Sequence, residues 1–505
     1  MLNFIKHNKL LAATFFVSLA AFLSLFLTSL AGLYIVRELS KDAYGRMTYF
    51  STWLPPMLLI LGLGLTSKII KDVVDARSIE DKTGVGVRLY TLLSLRFLTV
   101  LPLPLLGFVL WGLLGQFPYL LITLIAFFSI SGDFLLGILR GNDKLYICGA
   151  LMLLQPVVYI ILLLSGLAQT VEGVFSALCL SYISNLVVEA LLVINIPGLL
   201  PSPKGHLFSI TYARQALKFS SNIYLNGLYQ TLFNSWLLII LGFLNLYETV
   251  AELSIPLTLV ALPMLVNSPI LVTIVYPRLV QSRQVALNTF NTAYRVVAIV
   301  TIPAAAVMAV FPDTVIELLY TGRYLTAAPL LVVSAPLVFV LAMESLLTLT
   351  QIGLEQFRSA MQVQFIRLSL LIVGTGLILL SGANRADYDA WLTIVFLIAA
   401  LTGLWYQIGH LRKAGSVSIA SLKMLQSGIA SVIIALLLRE VILPVDILWI
   451  NLSKAVIAGL LGVAVSYIIY FGRNYHPWIQ SDNLAFQQVA EQLPQFMEAK
   501  GERRR

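Results

Sequence analysis

Runs of about 20 mostly apolar residues follow one another along nearly the whole chain, and they limit its fold more than any other feature. A membrane-spanning helix needs roughly 20 predominantly apolar residues. Of the 505 residues, 59% are hydrophobic and only 11% are charged, whereas soluble domains carry roughly 25% charged residues. A water-soluble fold of this size could not bury so much apolar surface. The sequence therefore predicts an all-α integral membrane protein, with lipid as most of its solvent.

Fourteen spans can be counted on that rule, and we name them α1 to α14. The first run is too long for the apolar core of a signal peptide, which has about 7–15 residues, so it is interpreted as a span. The predicted spans lie at 10–36, 46–71, 87–112, 117–140, 145–167, 171–196, 218–243, 249–276, 291–311, 326–353, 358–380, 388–410, 420–443 and 448–471.

The basic residues predict the orientation, because cytoplasmic loops of membrane proteins carry an excess of Lys and Arg. With both termini in the cytoplasm, three of the 33 basic residues lie inside spans and 24 lie on the cytoplasmic side. The net charge of +9 is then a topology signal, and no nucleic-acid partner is predicted. The remaining six basic residues lie on the outer side: Arg37, Lys41, Arg46, Arg323, Arg385 and Arg439.

A polar connector separates two apolar halves of about equal length. It carries Pro197, Pro201 and Pro203 together with Gly198 and Gly205, and such a density of helix-breaking residues predicts an exposed turn. The predicted organisation is a six-helix lobe at 1–200, a cytoplasmic connector at 201–217, a second six-helix lobe at 218–413, two further helices at 414–472 and a cytoplasmic tail at 473–505.

Two features recur in the halves at a nearly constant offset. Pro55 and Pro56 interrupt α2 and Pro263 interrupts α8, 208 residues apart, while the acids Asp133 in α4 and Glu344 in α10 are 211 apart. Interrupted helices at matching positions of two repeats are typical of transporters. Chance is the competing interpretation, since prolines are common in membrane helices. The pattern favours two pseudo-symmetric lobes related by an axis along the membrane normal.

Four charged residues lie roughly 10–14 Å deep within predicted spans, counted from the cytoplasmic ends at about 1.5 Å per residue: Arg96, Asp133, Glu344 and Arg367. Each such charge costs about 2.5–3.5 kcal/mol or more at mid-membrane, so they should face each other or a wet cavity. One interpretation is two structural ion pairs, Arg96 with Asp133 and Arg367 with Glu344. The other places both arginines on a cavity wall, where guanidinium groups bind an anionic head group and the carboxylates are their partners when the site is empty.

A stripe of amides marks α7. Asn222, Asn226, Gln230 and Asn234 are spaced by four, so they share one face of the helix. They could bind sugar hydroxyls in a cavity, or they could bond to neighbouring helices. Four amides exceed what one packing contact needs, which favours the cavity slightly. Weaker polar candidates within spans are Asn185, Glu189 and Lys454.

Metal and redox chemistry are not indicated. The four histidines are scattered and the two cysteines, Cys148 and Cys179, both lie in apolar runs, where they fit small core residues better than a disulfide. The sequence predicts no metal site and no cofactor, apart from a coupling ion, H⁺ or Na⁺.

Short motifs suggest a family. YIVRELSKDAYGRMTYF (34–50), LGLGLTSKIIK (61–71) and LRGNDKLY (139–146) in the first half, with segments 240–279 and 317–337 in the second, resemble the polysaccharide-biosynthesis flippases of the MATE-like multidrug/oligosaccharidyl-lipid/polysaccharide exporter superfamily. The resemblance implies two six-helix bundles around a central cavity that opens to alternate sides. It also implies a lipid-linked oligosaccharide as cargo, with the polyprenyl tail left in the bilayer.

This resemblance leads to a concrete expectation: a flippase of the bacterial inner membrane, not an enzyme, that exports an undecaprenyl-pyrophosphate-linked sugar unit. The lobes would rock against each other, with Pro55, Pro56 and Pro263 in gating helices. The protein would act as a monomer in contact with membrane lipid, and a polysaccharide polymerase and glycosyltransferases are its expected partners.

Alternatives remain open at this stage. The lipid II flippases carry an arginine-rich pattern in their first two helices, where this chain has only Arg37 and Arg46, and the proton-coupled drug exporters often have an acid in the first helix, where this chain has none. An ion-coupled drug or cation exporter of the same fold would use Asp133 or Glu344. A membrane-embedded glycan polymerase or transferase would need acid–base residues on a sizeable external loop, and the predicted external turns are short.

Overall fold

A computed structural model describes residues 9–78, 82–195, 208–270, 283–354, 356–381, 388–413, 421–440 and 448–471. Every regular element in these ranges is a helix, which confirms the all-α prediction. By length and composition, nine of the described helices could cross a membrane, or ten if one bent pair counts as a single span. Each of the fourteen predicted segments coincides with a helix, but the count of fourteen spans stays a prediction.

The first lobe contains six predicted spans, two of which are divided. The helices are α1 (Lys9–Glu38), α2a (Lys41–Thr52), α2b (Leu54–Gly62), α2c (Leu65–Ser78), α3a (Lys82–Val100), α3b (Pro102–Leu114), α4 (Pro118–Gly141), α5 (Leu145–Leu164) and α6 (Val171–Asn195).

The second lobe and the two helices after it follow the same order, with an additional short helix at Pro312–Tyr320 that the sequence did not suggest. The main helices are α7 (Ile210–Phe243), α8 (Tyr247–Ile270), α9 (Arg283–Val310), α10a (Ala328–Ser334), α10b (Leu337–Gly353), α11 (Phe357–Leu380), α12 (Tyr388–Lys413), α13 (Ser421–Glu440) and α14 (Leu448–Phe471).

Helix α7 begins eight residues before its predicted start, so the end of the predicted connector 201–217 is helical. The reason is a helix cap: the Ser209 side chain accepts a hydrogen bond from the main-chain N–H of Tyr212, which satisfies one of the free donors at the helix start. The proline-rich part of the connector, 196–207, and the tail from residue 472 lie outside the described ranges.

The predicted interruption of α2 is present. A break at Trp53 precedes Pro55 and Pro56, which lie in the first turn of α2b, where a missing N–H costs little. A second, unpredicted break follows at Leu63 and Gly64, whose φ angles are 50° and 63°.

The predicted interruption of α8 is wrong, because α8 continues through residue 263 from Tyr247 to Ile270. Each internal proline removes a single hydrogen bond, which helix packing in a membrane protein can offset.

The two lobes repeat each other in their helix packing. In the first lobe α1 packs on α5, α4 on α6, and both α3b and α2c on α4; in the second, α7 packs on α11, α10b on α12, and both α9 and α8 on α10b. The matching pairs confirm two pseudo-symmetric lobes. Helices α13 and α14 pack on each other and on α9.

The lobes touch at the end predicted to face outside. Lys41 at the start of α2a forms an ion pair with Glu252 of α8, and Glu252 also accepts a hydrogen bond from Thr326 at 2.6 Å. One turn further on, Gly45 packs directly on the main-chain carbonyl of Tyr247. We call these residues of α2a and α8 the outer contact. Towards the other end, α2c packs on α7.

Candidate functional site

The first predicted ion pair lies in the first lobe, between α3a and α4. Arg96 is buried, and its Nη2 lies 3.2 Å from Oδ2 of Asp133. The same nitrogen donates to Oγ1 of Thr66 at 3.0 Å, and the Thr66 hydroxyl donates to the Asp133 carboxylate. The other terminal nitrogen, Nη1, donates to the main-chain carbonyl of Gly62.

This geometry explains why a charge lies in α3a. Gly62 is the last residue of α2b, and the carbonyls at a helix end have no partner within the helix. In a membrane, each unsatisfied backbone group costs several kcal/mol. The Arg96 guanidinium satisfies this carbonyl, and Asp133 balances the charge. Arg96 therefore holds the second break of α2 against α4.

The second predicted ion pair lies in the second lobe, between α10b and α11. Arg367 has 1% of its surface exposed and pairs with Glu344, which is also buried. Gln364 connects the two, because it accepts from Nη1 of Arg367 at 3.0 Å and donates to Oε1 of Glu344 at 2.8 Å. The guanidinium carbon lies 3.9 Å from the centroid of the Phe233 ring, a favourable cation–π geometry.

A glycine on α12 makes room for the arginine. A Cβ atom on Gly403 would collide with the aliphatic part of the Arg367 side chain. The arginine is thus enclosed by α7, α10b, α11 and α12, and its Nε and Nη2 atoms have no hydrogen-bond partner among the described residues.

A cavity of about 160 Å³ with three polar side chains in its wall lies next to this pair. It brings together three of the predicted site residues: Gln230 and Asn234 of α7 and Glu344 of α10b. Arg367 does not line the cavity itself, but it pairs with Glu344, which does. We call this space the second-lobe cavity; its remaining walls are Leu257, Ala261, Leu341 and Phe396.

The amide stripe does not share one environment. Asn234 is exposed to the cavity side, Gln230 is half-buried, and Asn226 has only 9% of its surface exposed. The side chain of Asn222 falls outside the described part of the structure. Only the later half of the stripe therefore lines the cavity.

Arg96 borders a different space, and this corrects the expectation that both arginines line one cavity. Its pocket of about 170 Å³ is mostly apolar, with Ser131 as the other polar side chain. The pocket residues Phe97 and Leu101 are more than half exposed, so it opens on the outer surface of the first lobe. The structure places the two arginines in separate lobes and brings each to its own carboxylate.

Several residues of the site carried no clear sequence signal. Thr66, Gly62, Phe233 and Gly403 are remote in sequence from the arginines they contact. Gln364 could have been found, because it lies three residues before Arg367 and such residues are neighbours on a helix.

Within the described ranges, no cluster of three or more His, Cys, Asp or Glu side chains could hold a metal ion, and Cys148 and Cys179 are free, buried thiols.

Residues 149–329 match the sequence model of a family described as "Polysaccharide biosynthesis protein". No curated protein sequence matches the chain. Among solved structures, the lipid II flippase MurJ in an inward closed conformation aligns with a TM-score of 0.72 and 14% identity, over 90% of this chain and 98% of MurJ.

Transporters of the multidrug resistance MATE family, of the MOP superfamily, align as well. An inward-facing structure gives a TM-score of 0.62 at 14% identity, over 78% of this chain and 96% of that one. An outward-facing structure gives 0.56 at 16% identity, over 80% and 97%. At such identities the likeness shows the fold alone: this chain has the MATE-like fold. Together with the family match, it confirms the resemblance to polysaccharide-biosynthesis flippases.

Proposed function

We propose that this protein is a flippase that moves a polyprenyl-pyrophosphate-linked oligosaccharide across the bacterial inner membrane, for the assembly of a surface polysaccharide. Both termini lie in the cytoplasm, and glycosyltransferases and a polymerase supply and consume the cargo. The protein works as a monomer. The MATE-like fold and the polysaccharide-biosynthesis match support this proposal. The observation that carries it is the second-lobe cavity, where two amides and a carboxylate meet beside a buried arginine.

The chemistry of this cavity suits a sugar. The amides of Gln230 and Asn234 can donate to and accept from hydroxyls, the Glu344 carboxylate accepts from them, and the Phe396 ring offers an apolar face. A volume of about 160 Å³ is below the roughly 300 Å³ at which pockets for drug-sized ligands begin. In this conformation the cavity therefore admits about one sugar unit, and the rest of the cargo enters when the lobes separate.

Arg367 provides the anion-binding part of the proposal. A guanidinium binds phosphate through two parallel hydrogen bonds. Arg367 is held by Glu344 in the structure, and the pyrophosphate takes the place of this carboxylate as the cargo arrives. The buried, unpartnered Nη2 of Arg367 is available for this exchange.

Alternating access follows from the outer contact. With the ion pair between Lys41 and Glu252 in place, the lobes are joined at their outer ends, and export requires that residues 1–200 and 210–413 rock apart there. The interrupted α2, with Pro55 and Pro56, and α8, with Pro263, move as gates. Cargo can drive this change only if it binds the two conformations with different affinity.

A disulfide across the outer contact tests the mechanism. Cysteines replace Lys41 and Glu252 in a background with Cys148→Ala and Cys179→Ala. We expect oxidation to stop the display of surface polysaccharide in producing cells, and reduction to restore it. A matched pair at Ser427 and Ser466, whose hydroxyls lie 2.6 Å apart between α13 and α14, should cross-link without effect. Undiminished export from fully cross-linked 41–252 protein would refute the rocking mechanism.

Substitutions in the cavity test the cargo. We expect Gln230→Ala and Asn234→Ala to lower export of the lipid-linked sugar several-fold without lowering the melting temperature, because both side chains border open space. Normal sugar export in the double variant would remove the basis for this proposal.

The second candidate is an ion-coupled drug or cation exporter. The MATE transporters of the same fold favour it, as does Asp133, whose side chain is 45% exposed. Uptake of a cationic dye into proteoliposomes that is driven by an ion gradient and abolished by Asp133→Asn would support it over the flippase. The structural neighbours are a flippase and transporters, so we do not propose the polymerase or transferase.

A further inference from the structure

A buried acid of the first lobe has no role in the mechanism described so far. Glu189 of α6 has 1% of its surface exposed. Its Oε1 accepts a hydrogen bond from Nδ2 of Asn185 at 2.9 Å. Its Oε2 has no hydrogen-bond partner within the described residues. That oxygen is aimed at α4, where a Cβ atom placed on Gly132 would lie 2.7 Å from it.

The charged and titratable groups around Glu189 come from α4 and α5, the two helices that pack most extensively on α6. Helix α4 contributes Asp133 and Arg140, and α5 contributes the buried thiol of Cys148. Asp133 is already paired with Arg96. Among the described residues no basic side chain forms an ion pair with Glu189, and its interaction with the nearby Asp133 is one of like charges.

We propose that Glu189 is a proton-binding site, neutral in the conformation described, whose proton couples transport to the proton gradient. An ionised carboxylate with a buried oxygen that has no hydrogen-bond partner and with a second carboxylate nearby is strongly unfavourable, whereas the neutral acid is tolerated. Because Oε1 accepts from Asn185, the O–H bond is on Oε2. The proton is released to water as this O–H bond breaks, when α6 and α4 separate enough to hydrate the carboxylate.

The position of the acid connects the proton to the gate. Gly132 adjoins Asp133, which binds the arginine that holds the second break of α2. A negative charge on Glu189 repels Asp133 and so disfavours the position in which Asp133 binds Arg96. Loss of the proton therefore loosens α2, and α2 carries the outer contact. The proton site stands on its own geometry, and only its use in transport rests on the proposed function.

Infrared spectroscopy of the purified protein tests the protonation directly. A protonated carboxylic acid has a carbonyl stretching band that a carboxylate lacks and that shifts in D₂O. We expect this band in the wild type at neutral pH, its loss in Glu189→Gln, and its retention in Asp133→Asn. If Glu189→Gln fails to fold, Asn185→Ala keeps the acid but removes its hydrogen-bond donor, and we expect the band to persist at a shifted frequency.

Two results would overturn the proposal. One is a wild-type spectrum without the band, or a band that is unchanged in both Glu189→Gln and Asn185→Ala. Either result would mean that Glu189 is ionised. The other is a carboxylate signal that responds to Na⁺ and not to pH, which would make this a metal-ion site. These results do not depend on the cargo, so a protein that shows the band but exports no sugar would contradict the proposed function alone.

The coupling has its own measurement. In the variant with cysteines at 41 and 252, we expect the cross-linking rate to fall at least several-fold as pH rises through the titration of Glu189. With Glu189→Gln added, this fall should be lost, and the rate should only rise with pH, because thiolate forms at the two cysteines. The same pH dependence with and without Glu189→Gln would show that the acid does not control the gate.

Discussion

The guanidinium of Arg96 donates a hydrogen bond to the main-chain carbonyl of Gly62, at the point where the second helix of the first lobe breaks. One side chain thus satisfies a free carbonyl and, through Asp133, ties α2 to α4. A helix interruption that faces lipid without such a partner would be very costly. The break of α2 after Gly62 requires a hydrogen-bond donor, and the Arg96 guanidinium is tolerated within the membrane because it supplies that donor.

Arg96→Lys should destabilise the protein even though it keeps the charge. A lysine cannot reach Gly62, Thr66 and Asp133 at once, and a buried acceptor left without a partner costs about 1–3 kcal/mol. The measurement is the melting temperature of detergent-purified protein without cargo. Arg88→Lys on the same helix, where the arginine lies 5.9 Å from the centre of the Tyr212 ring, is the control and should melt normally. Equal melting of both variants would contradict the capping role.

A double-mutant cycle on Arg367 and Glu344 separates the structural role from cargo binding. We expect each of Arg367→Met and Glu344→Gln to cost about 3–5 kcal/mol, because each leaves a buried charge without its partner. The double variant should recover most of that stability, as expected for directly coupled residues. It should still export no sugar, since the anion-binding guanidinium is gone. If the double variant recovers export as well as stability, then Arg367 and Glu344 have only a structural role.

Gly403→Ala should disturb the second lobe although the change is one methyl group. The new Cβ would overlap the Arg367 side chain, and overpacking of a tight core costs about 1–3 kcal/mol. Gly409, on the same helix, has open space at its Cβ position. Gly409→Ala should instead stabilise by about 0.5–1 kcal/mol, the usual gain for glycine to alanine within a helix. Thermal melting compares the two, and the opposite ranking would contradict the packing described here.

Gly45→Ala should weaken the outer contact. Its Cβ would overlap the main-chain carbonyl of Tyr247, and the main chain has little freedom to move aside. We expect disulfide formation between cysteines at 41 and 252 to slow by at least tenfold. Gly32→Ala in α1, with no atom near the added Cβ, should leave the rate unchanged. An unaltered rate in Gly45→Ala would show that this close approach does not hold the lobes together.

The sequence predicted the helical architecture well, because spans of about 20 apolar residues are set by the thickness of the bilayer. It predicted the break before Pro55, since proline acts through its own ring and missing N–H. The break at Leu63 and Gly64 was not visible, because it depends on Arg96, 30 or more residues away. The continuation of α8 as a helix through Pro263 was missed for a related reason: packing decides whether a proline interrupts a membrane helix.

The charged residues show the same limit. Their cost in lipid predicted that each arginine has a carboxylate near it. This cost did not predict which cavity each charged residue borders, because that depends on how each helix is rotated about its own axis when the helices pack. The cavity beside Glu344, the separate pocket at Arg96 and the unpartnered oxygen of Glu189 all follow from that rotation.

The ion pair between Lys41 and Glu252 joins positions 211 residues apart, the same separation as that between Asp133 and Glu344. Positions that correspond between two symmetric halves can touch only where the symmetry axis passes. In a dimer of identical subunits, two lysines or two glutamates would meet there and repel each other. Opposite charges at this point therefore require two halves that differ in sequence, so the ion pair of the outer contact is a feature that two identical halves could not form.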